Sequence, residues 1–301
     1  MLISMELNDD HSEKVRYDYP DYPIYIRKGL LSHYPNYTAP NHWHDALEFI
    51  FVFSGAMNYN INGHIVLIQT GEGIIVNSGQ MHFGFSRTKS ECEFICVLLH
   101  PILLCGSYAF ERDYILPVIQ NTSMPYMLLT PQTPWHNLCL NFIRAFYENK
   151  DSAITPLKIT ADFAALWTIL FENMPKSPSE KSPQNRDLTI IKNMTGFIHK
   201  NYAKKMTLSD IARAGAVGQS KCCKLFHQYF SQSPIAYLIQ YRLTKSVELL
   251  RDTDMSMTEI AFFVGFGNAS YYAETFRKWL GQSPTAFKRQ KPFSNSPYTH
   301  I

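Results

Sequence analysis

The sequence predicts a two-domain α+β protein: an N-terminal small β-barrel followed by two helices, then a C-terminal all-α domain with two helix-turn-helix units. Three observations predict this fold class. Short apolar segments separated by turn residues fill residues 22–100, a helical periodicity replaces them after Trp135, and a repeated helical motif fills the last third of the 301-residue chain.

The composition bounds the class of protein. A hydrophobic content of 46% with 18% charged residues is typical of a folded soluble protein. No apolar run approaches the roughly 20 residues that span a bilayer, and the first residues, MLISMELNDDHSEK, lack the pattern of a signal peptide. We therefore expect a cytoplasmic protein without membrane association, whose cysteines are reduced thiols.

Residues 1–134 are assigned to the barrel on the pattern of their strands. Six short runs rich in β-branched and aromatic residues are separated by turn residues: IYI, LEFIFVF, YNI, HIVLI, GIIV and EFICVLL. The pair Asn62-Gly63 between YNI and HIVLI predicts a type I′ hairpin, because both residues accept a positive φ. Many short strands at this spacing are typical of a small barrel or sandwich.

Two amphipathic helices are predicted between residues 135 and 175. Their apolar residues recur at three- or four-residue spacing: Leu138, Phe142 and Phe146, then Ile159, Phe163, Leu166, Leu170 and Met174. Such a stripe covers one face of the barrel or packs against a second copy, and the sequence leaves both open. Residues 135–175 are therefore the candidate dimerisation segment of a homodimer.

A linker is predicted at residues 176–186, within a stretch, PKSPSEKSPQNRD, that has three prolines, three serines and no apolar residue. It separates the barrel and its helices from a C-terminal domain at residues 187–291, and the tail, 292–301, carries no readable signal. The C-terminal domain holds 15 Lys and Arg against 7 Asp and Glu, whereas the rest of the chain holds 13 against 18. This asymmetry indicates that only the C-terminal domain meets a polyanion.

The C-terminal domain contains an internal repeat. MTLSDIARAG, SKCCKLF and SQSPIAYL match MSMTEIAFFVG, SYYAETF and GQSPTAFK in order and spacing, so that Ser220 pairs with Ser270. Each copy predicts a capped short helix, a glycine turn and a second helix, which is the helix-turn-helix pattern. Two copies in a basic domain favour binding to double-stranded DNA over the alternative, an all-helical interaction module.

These residues resemble the DNA-binding domain of the AraC/XylS family of bacterial transcription regulators. The resemblance is carried by IARAGAVGQSKCCKLFHQYFSQSP and IAFFVGFGNASYYAETFRKWLGQSP, and it covers about a third of the chain. It implies a dimeric regulator that responds to a small-molecule effector, with RNA polymerase as a further candidate partner.

The resemblance also assigns DNA contacts by position. It implies base-facing positions at Ser220, Cys223, Lys224, Ala269, Ser270 and Glu274, and phosphate contacts at Lys221, Arg277 and Lys278. The chain departs from the family at Glu274, where arginine is frequent, and Cys223 is an unusual base reader. A glutamate accepts from cytosine N4 but repels phosphate, which puts strong reading by the second helix in doubt.

The stretch HWHDALEF at residues 42–49 brings potential metal ligands together. His42, His44 and Glu48 are all even-numbered, so in an extended strand they face one side. With Gly55 they resemble the first part of the two-part cupin motif, and GEGIIVNSGQMHFGFS with His82 resembles the second. This second part is looser, because the usual proline and asparagine are replaced by Asn77 and Ser86.

The cupin resemblance leaves two functions open. Three histidines and a glutamate can hold a divalent metal ion, as in a cupin oxygenase or isomerase. In regulators similar to this chain, a cupin-like barrel instead binds an effector without turnover. We expect the second, so His42, His44, Glu48 and His82 are candidate effector-binding residues and candidate metal ligands in a protein that is not an enzyme.

Overall fold

The computed structural model describes residues 6, 12–19, 21–151, 154–175, 183–230 and 232–289, with the side chains of 183–186 left out. The chain forms two compact units, one ending at Thr189 and the other beginning at Ile190. Residues 176–182 of the predicted linker and the predicted tail lie outside the described residues. The last four residues of the predicted linker are already helical, because a helix begins at Pro183.

Among the described residues, the N-terminal unit has seven antiparallel strands, and the long strand β2 pairs with four of the others. The strands are β1 (Ile24–Leu30), β2 (Leu47–Ile61), β3 (His64–Gln69), β4 (Gly73–Val76), β5 (His82–Phe85), β6 (Cys92–Leu99) and β7 (Tyr126–Leu129). The first half of β2 pairs with β6 and β4, and its second half pairs with β3 and β5. One strand thus joins the two sets of strands that form the barrel.

The prediction of separate LEFIFVF and YNI strands is wrong, because both belong to β2. The register shifts between Val52 and Ser54, and Gly55 has φ +79, so the strand bends without ending. The prediction also missed β5 and β7. The Asn62-Gly63 hairpin is confirmed, with φ values of 52 and 89.

Two helices, α1 (Pro134–Glu148) and α2 (Thr155–Asn173), pack on the outer face of the barrel. The Phe49 ring on β2 lies 6.3 Å from Phe146 of α1 and 6.0 Å from Phe163 of α2. Most of the predicted apolar stripe is therefore buried within its own chain. Leu138, by contrast, is 51% exposed.

Alternate residues of β2 face the barrel interior. Ile50, Val52 and Tyr59 belong to the interior cluster, whereas Phe49 and Phe51 belong to the cluster shared with the two helices. The even-numbered face of HWHDALEF consequently points inward. Between β6 and β7 the chain forms short helical turns: Pro101–Leu104, Tyr108–Phe110, Glu111–Ile115 and Leu116–Ile119.

The C-terminal unit is helical. Its helices are α3 (Pro183–Asn201), α4 (Leu208–Ala214), α5 (Gln219–Phe230), α6 (Pro234–Asp252), α7 (Met257–Phe263), α8 (Ala269–Leu280) and α9 (Pro284–Arg289). Both predicted capping boxes are confirmed, at Thr207 with Asp210 and at Ser256 with Glu259. Helix α3 was not predicted.

Helix α6 serves both helix-turn-helix units. Near its start, the Tyr237 ring lies 5.5 Å from Phe226 of α5. Towards its end, Val247 and Leu250 join the core that contains Phe276 of α8. Because one continuous helix packs against both units, it sets the spacing between α5 and α8.

All six cysteines are free thiols. Within the part of the chain that the structure describes, no helix combines the length and apolar character needed to cross a bilayer.

Candidate functional site

The four predicted ligand residues of the barrel lie together. One ligand atom from each of His42, His44, Glu48 and His82 falls within 4.8 Å of the others. Each of these residues is at most 4% exposed. The two parts of the cupin-like motif therefore form one buried cluster inside the barrel.

Backbone pairing positions the histidines. His42 and His82 form an isolated antiparallel bridge, with His42 N donating to His82 O at 3.2 Å and His82 N donating to His42 O at 2.9 Å. The amide of Gly79 donates to His44 O at 2.8 Å, and Glu48 follows at the start of β2. The extended segment before β2 and the first residue of β5 thus bring both parts of the motif side by side.

All three histidines use Nδ1 in the same way. Each Nδ1 lies next to a backbone carbonyl two residues away: His42 to Pro40 O at 3.0 Å, His44 to Ala46 O at 3.0 Å and His82 to Gln80 O at 2.8 Å. Because a carbonyl oxygen only accepts, Nδ1 must carry the proton. In a neutral imidazole the lone pair is then on Nε2, which is the form that binds metal ions.

The Nε2 atoms are poorly satisfied. Those of His44 and His82 are buried and have no hydrogen-bond partner among the described residues. They lie 3.7 Å and 3.4 Å from Oε2 of Glu48. A buried polar atom without a partner costs on the order of 1–3 kcal/mol, so this arrangement favours a ligand that the cluster is built to hold.

Glu48 is the anionic centre of the cluster. The Tyr59 hydroxyl donates to its Oε1 and the Cys96 thiol donates to its Oε2. Burial raises the pKa of Glu48, but the neighbouring His82 and His44 outweigh burial and hold it well below its usual range. Burial together with the charge of Glu48 raises the pKa of the Tyr59 hydroxyl and of the Cys96 thiol well above their usual values.

A second carboxylate, Glu13, lies beside the cluster and was missed by the sequence analysis. Its Oε2 is 3.6 Å from His42 Nε2, and its amide donates to Trp43 O at 2.8 Å. Burial, with the charge of Glu48, raises the pKa of Glu13 to about 7 although His44 opposes the shift. Burial, with the charges of His82 and His44, lowers the pKa of His42 well below its usual value.

The predicted DNA-contacting residues lie on α5 and α8. The exposed ones are Ser220, Lys221, Lys224, Ser270, Glu274, Arg277 and Lys278, whereas Cys223 and Ala269 are partly buried. Lys278 Nζ lies 2.7 Å from Oε1 of Glu274, and hydrogen bonding with Lys278 lowers the pKa of that carboxyl. Their contacts with DNA stay a prediction.

Tyr271 is a further exposed side chain on α8 that the sequence analysis passed over. It is 51% exposed. The internal repeat offered a signal for it, because the pairing of Ser220 with Ser270 places Tyr271 at the position of Lys221. Its hydroxyl and ring lie on the same exposed helix surface as Ser270 and Glu274.

The chain matches two family models. An AraC-like ligand binding domain matches residues 28–109, and a helix-turn-helix domain matches residues 211–290. These spans include most of the barrel with all four cluster residues, and both α5 and α8.

Three relatives match over most of their length. The HTH-type transcriptional regulator YdeC of Bacillus subtilis is 27% identical over 272 residues, which cover 89% of this chain and 92% of that protein. The melibiose operon regulatory protein of Escherichia coli is 22% identical, with 89% of each chain covered. The HTH-type transcriptional activator RhaS of Salmonella schwarzengrund is 24% identical, with 83% and 87% covered.

Two solved structures that align with this chain are likenesses alone. ToxT from Vibrio cholerae aligns with a TM-score of 0.47 and 11% identity, covering 88% of this chain and 98% of that chain. The C-terminal domain of the response regulator yesN from Fusobacterium nucleatum aligns with a TM-score of 0.32 and 25% identity, covering 33% and 98%.

Proposed function

The chain belongs to the AraC family of helix-turn-helix transcription regulators, and on that premise we propose that a small molecule bound inside the barrel controls how the C-terminal domain binds DNA. A ligand-binding domain and a DNA-binding domain in one chain suit such control. The effector would act by its different affinity for two arrangements of the protein, since a ligand shifts an equilibrium only through that difference.

The unsatisfied histidine cluster is the observation that carries this proposal. His44 and His82 each keep a buried Nε2 without a partner among the described residues. An ordinary core would replace these polar groups with apolar ones at a gain in stability. Their retention in the interior of a ligand-binding domain supports His42, His44, Glu48 and His82 as the effector-binding residues.

We further propose that the same four residues hold a divalent transition-metal ion. The donor set fits, because three Nδ1 atoms are committed to carbonyls, leaving three Nε2 lone pairs and one carboxylate that converge. A divalent charge would also balance the buried carboxylate of Glu48 and the nearby, partly buried carboxyl group of Glu13. When bound, such an ion would supply an electrophilic position for an oxygen or nitrogen atom of the effector.

The barrel is proposed to sense its ligand without turning it over. The alternative is a metal-dependent cupin enzyme, an oxygenase or isomerase, joined to a DNA-binding domain. The relatives that match along most of the chain are transcription regulators, which favours the sensor. For a sensor, changing His44 shifts the effector concentration that produces a transcriptional response, whereas for an enzyme it abolishes turnover.

A homodimer is proposed as the acting form. The outer surface of α1 and α2 presents Leu138 and Leu157, which are 51% and 72% exposed. Exposed apolar side chains that form a contiguous patch mark a contact with another protein, here proposed to be a second copy. Sedimentation of the full chain tests this, with Leu157→Glu expected to shift the protein to monomer and a monomeric wild type contradicting it.

Native mass spectrometry tests the ligand site. The full chain is produced without a histidine tag, purified without chelators and compared with His44→Ala and with His64→Ala, a control at an exposed histidine of the same domain. We expect one metal ion per chain in the wild type and the control, and none in His44→Ala.

The outcomes separate the two parts of the proposal. A wild type that takes up no ion from added Mn²⁺, Co²⁺, Ni²⁺ or Zn²⁺ contradicts the metal site. An organic mass that the wild type retains and His44→Ala loses would still support the effector site. Equal affinity and bending of a selected DNA duplex with and without that compound would place the coupling in contacts with RNA polymerase.

A further inference from the structure

We propose that the two helix-turn-helix units read DNA with opposite chemistry at one equivalent position, which is Lys224 in the first unit and Glu274 in the second. The inference rests on DNA binding by the C-terminal domain and is independent of the effector site. It assigns a guanine as the base that Lys224 contacts and a cytosine as the base that Glu274 contacts, with both bases read on the same DNA strand.

The equivalence of these two positions is structural. Helices α5 and α8 are each 12 residues long, and the repeat relates them by an offset of 50 residues. Both helices bury the same two positions completely: Cys222 and Phe226 in α5, Tyr272 and Phe276 in α8. Lys224 and Glu274 each lie midway between these buried positions, so both point away from the core on the same face.

Helix α5 presents only cationic charge on this face. Its sequence, QSKCCKLFHQYF, contains no acidic residue, and Lys221 and Lys224 are exposed. In a helix-turn-helix unit the second helix enters the major groove. A lysine there donates to O6 and N7 of guanine, which present two acceptors on the base edge.

Helix α8 presents the opposite charge at the equivalent position. Glu274 is a hydrogen-bond acceptor, and the base edge that offers a donor to glutamate in the major groove is cytosine N4. Guanine beneath Glu274 would place two acceptors against a carboxylate. The same position therefore selects opposite members of a G·C pair in the two units.

The neighbours of Glu274 make this contact feasible beside the DNA backbone. Lys278 Nζ holds Oε1 of Glu274 at 2.7 Å, which leaves Oε2 to accept from a base. The lysine also offsets repulsion between the carboxylate and nearby phosphates. Both side chains are more than half exposed, so the pair can adjust its geometry on binding.

Selection from a randomised DNA duplex library tests the inference with the purified full chain. The wild type is compared with Glu274→Gln, Glu274→Lys and Asp254→Asn, the last being an exposed acid outside α8. The first and second sub-sites are the parts of the selected DNA sequence that α5 and α8 contact. We expect the wild type and Asp254→Asn to select cytosine at one position of the second sub-site. Glu274→Gln should shift that choice towards adenine and Glu274→Lys towards guanine, with the first sub-site unchanged.

Affinity measurements on the selected duplex give the magnitude. Exchanging that cytosine for guanine should weaken wild-type binding on the order of 10- to 100-fold and should weaken Glu274→Gln much less. Identical base choices by all four proteins would overturn the proposal, as would variants that change affinity equally for every sequence. A wild type that selects no sequence would overturn specific DNA binding and this proposal with it.

Discussion

The Tyr59 hydroxyl donates a hydrogen bond to Oε1 of Glu48, a residue eleven positions earlier on the same strand. The contact forms because β2 bends at Gly55, where φ is +79. The bend turns the second half of the strand, which carries Tyr59, back towards Glu48 in the first half. Glu48 is thereby held with one oxygen towards Tyr59 and the other towards His44 and His82. If the cluster holds the proposed metal ion, this hydrogen bond would orient Glu48 without Tyr59 binding the ion itself.

Removing this donor should weaken metal binding without removing a ligand. We expect Tyr59→Phe to lower the affinity for Co²⁺ or Zn²⁺ about 10- to 100-fold, the range for loss of an orienting partner. Competition with a chromogenic chelator measures the affinity, and Tyr114→Phe, at a half-exposed ring, is the control. Wild-type affinity in Tyr59→Phe would show that Glu48 does not need the hydrogen bond from Tyr59 to bind the metal ion.

The raised pKa of Glu13 predicts a pH dependence of stability in metal-free protein. A carboxyl whose pKa rises from 4.5 to about 7 on folding binds its proton more tightly in the folded state, so its contribution to stability falls as pH rises through that range. The lowered pKa of His42 acts in the opposite direction below its usual value. Comparing the wild type with a Glu13 variant separates the contribution of Glu13 from that of His42.

We expect Glu13→Gln to unfold at an increasingly higher temperature than the wild type as pH rises from about 5 to about 7. Thermal unfolding followed by circular dichroism across this range measures the difference. Glu172→Gln, at an exposed position of α2, should follow the wild type throughout. Parallel curves for Glu13→Gln and the wild type would mean that Glu13 ionises normally.

The histidine cluster was predictable from the sequence because three of its four ligands lie close together along the chain. In H-x-H-x3-E a period of two places the ligands on one face, and a turn before His82 supplies the last one. Glu13 was not predictable in this way. Its place depends on the pairing of the N-terminal segment with Trp43, a non-local contact that no periodicity encodes.

The errors in the fold have a similar cause. Ser54-Gly55 has the composition of a turn, yet β2 continues because β6 pairs with both sides of the bend. Glycine is disfavoured inside a strand, but at Gly84 of β5 a Cβ would lie 3.0 Å from Met57 Sδ, so the close packing favours glycine at this position. In both β2 and β5, pairing with distant strands outweighed the local preference of the sequence for a turn or a break.

Gly265 provides a test of how tightly the second helix-turn-helix unit is built. It has φ +89, and a Cβ there would lie 2.7 Å from Tyr202 O and 2.8 Å from Ala203 O. Gly281 has φ +81 with no neighbour within 4 Å of its Cβ position. Gly281→Ala should therefore cost about 1 kcal/mol of backbone strain, whereas Gly265→Ala adds a clash with backbone.

Thermal unfolding of the two variants measures this difference. We expect the midpoint of Gly265→Ala to fall by clearly more than that of Gly281→Ala, with a loss of DNA affinity only in the former. Equal effects would mean that the segment just after α3 moves aside and that its contact with Gly265 does not position the unit.

Salt dependence separates phosphate contacts from base contacts on α5. Each phosphate neutralised by a lysine adds roughly 0.9 to the slope of log affinity against log salt concentration. We expect Lys221→Ala to weaken binding to all duplexes alike and to reduce that slope by about 0.9. Fluorescence anisotropy on selected and scrambled duplexes measures both quantities, and Lys158→Ala, an exposed lysine of α2, should behave as the wild type. An unchanged slope in Lys221→Ala would remove this residue from the phosphate contacts, and sequence-dependent weakening would make it a base reader beside Lys224.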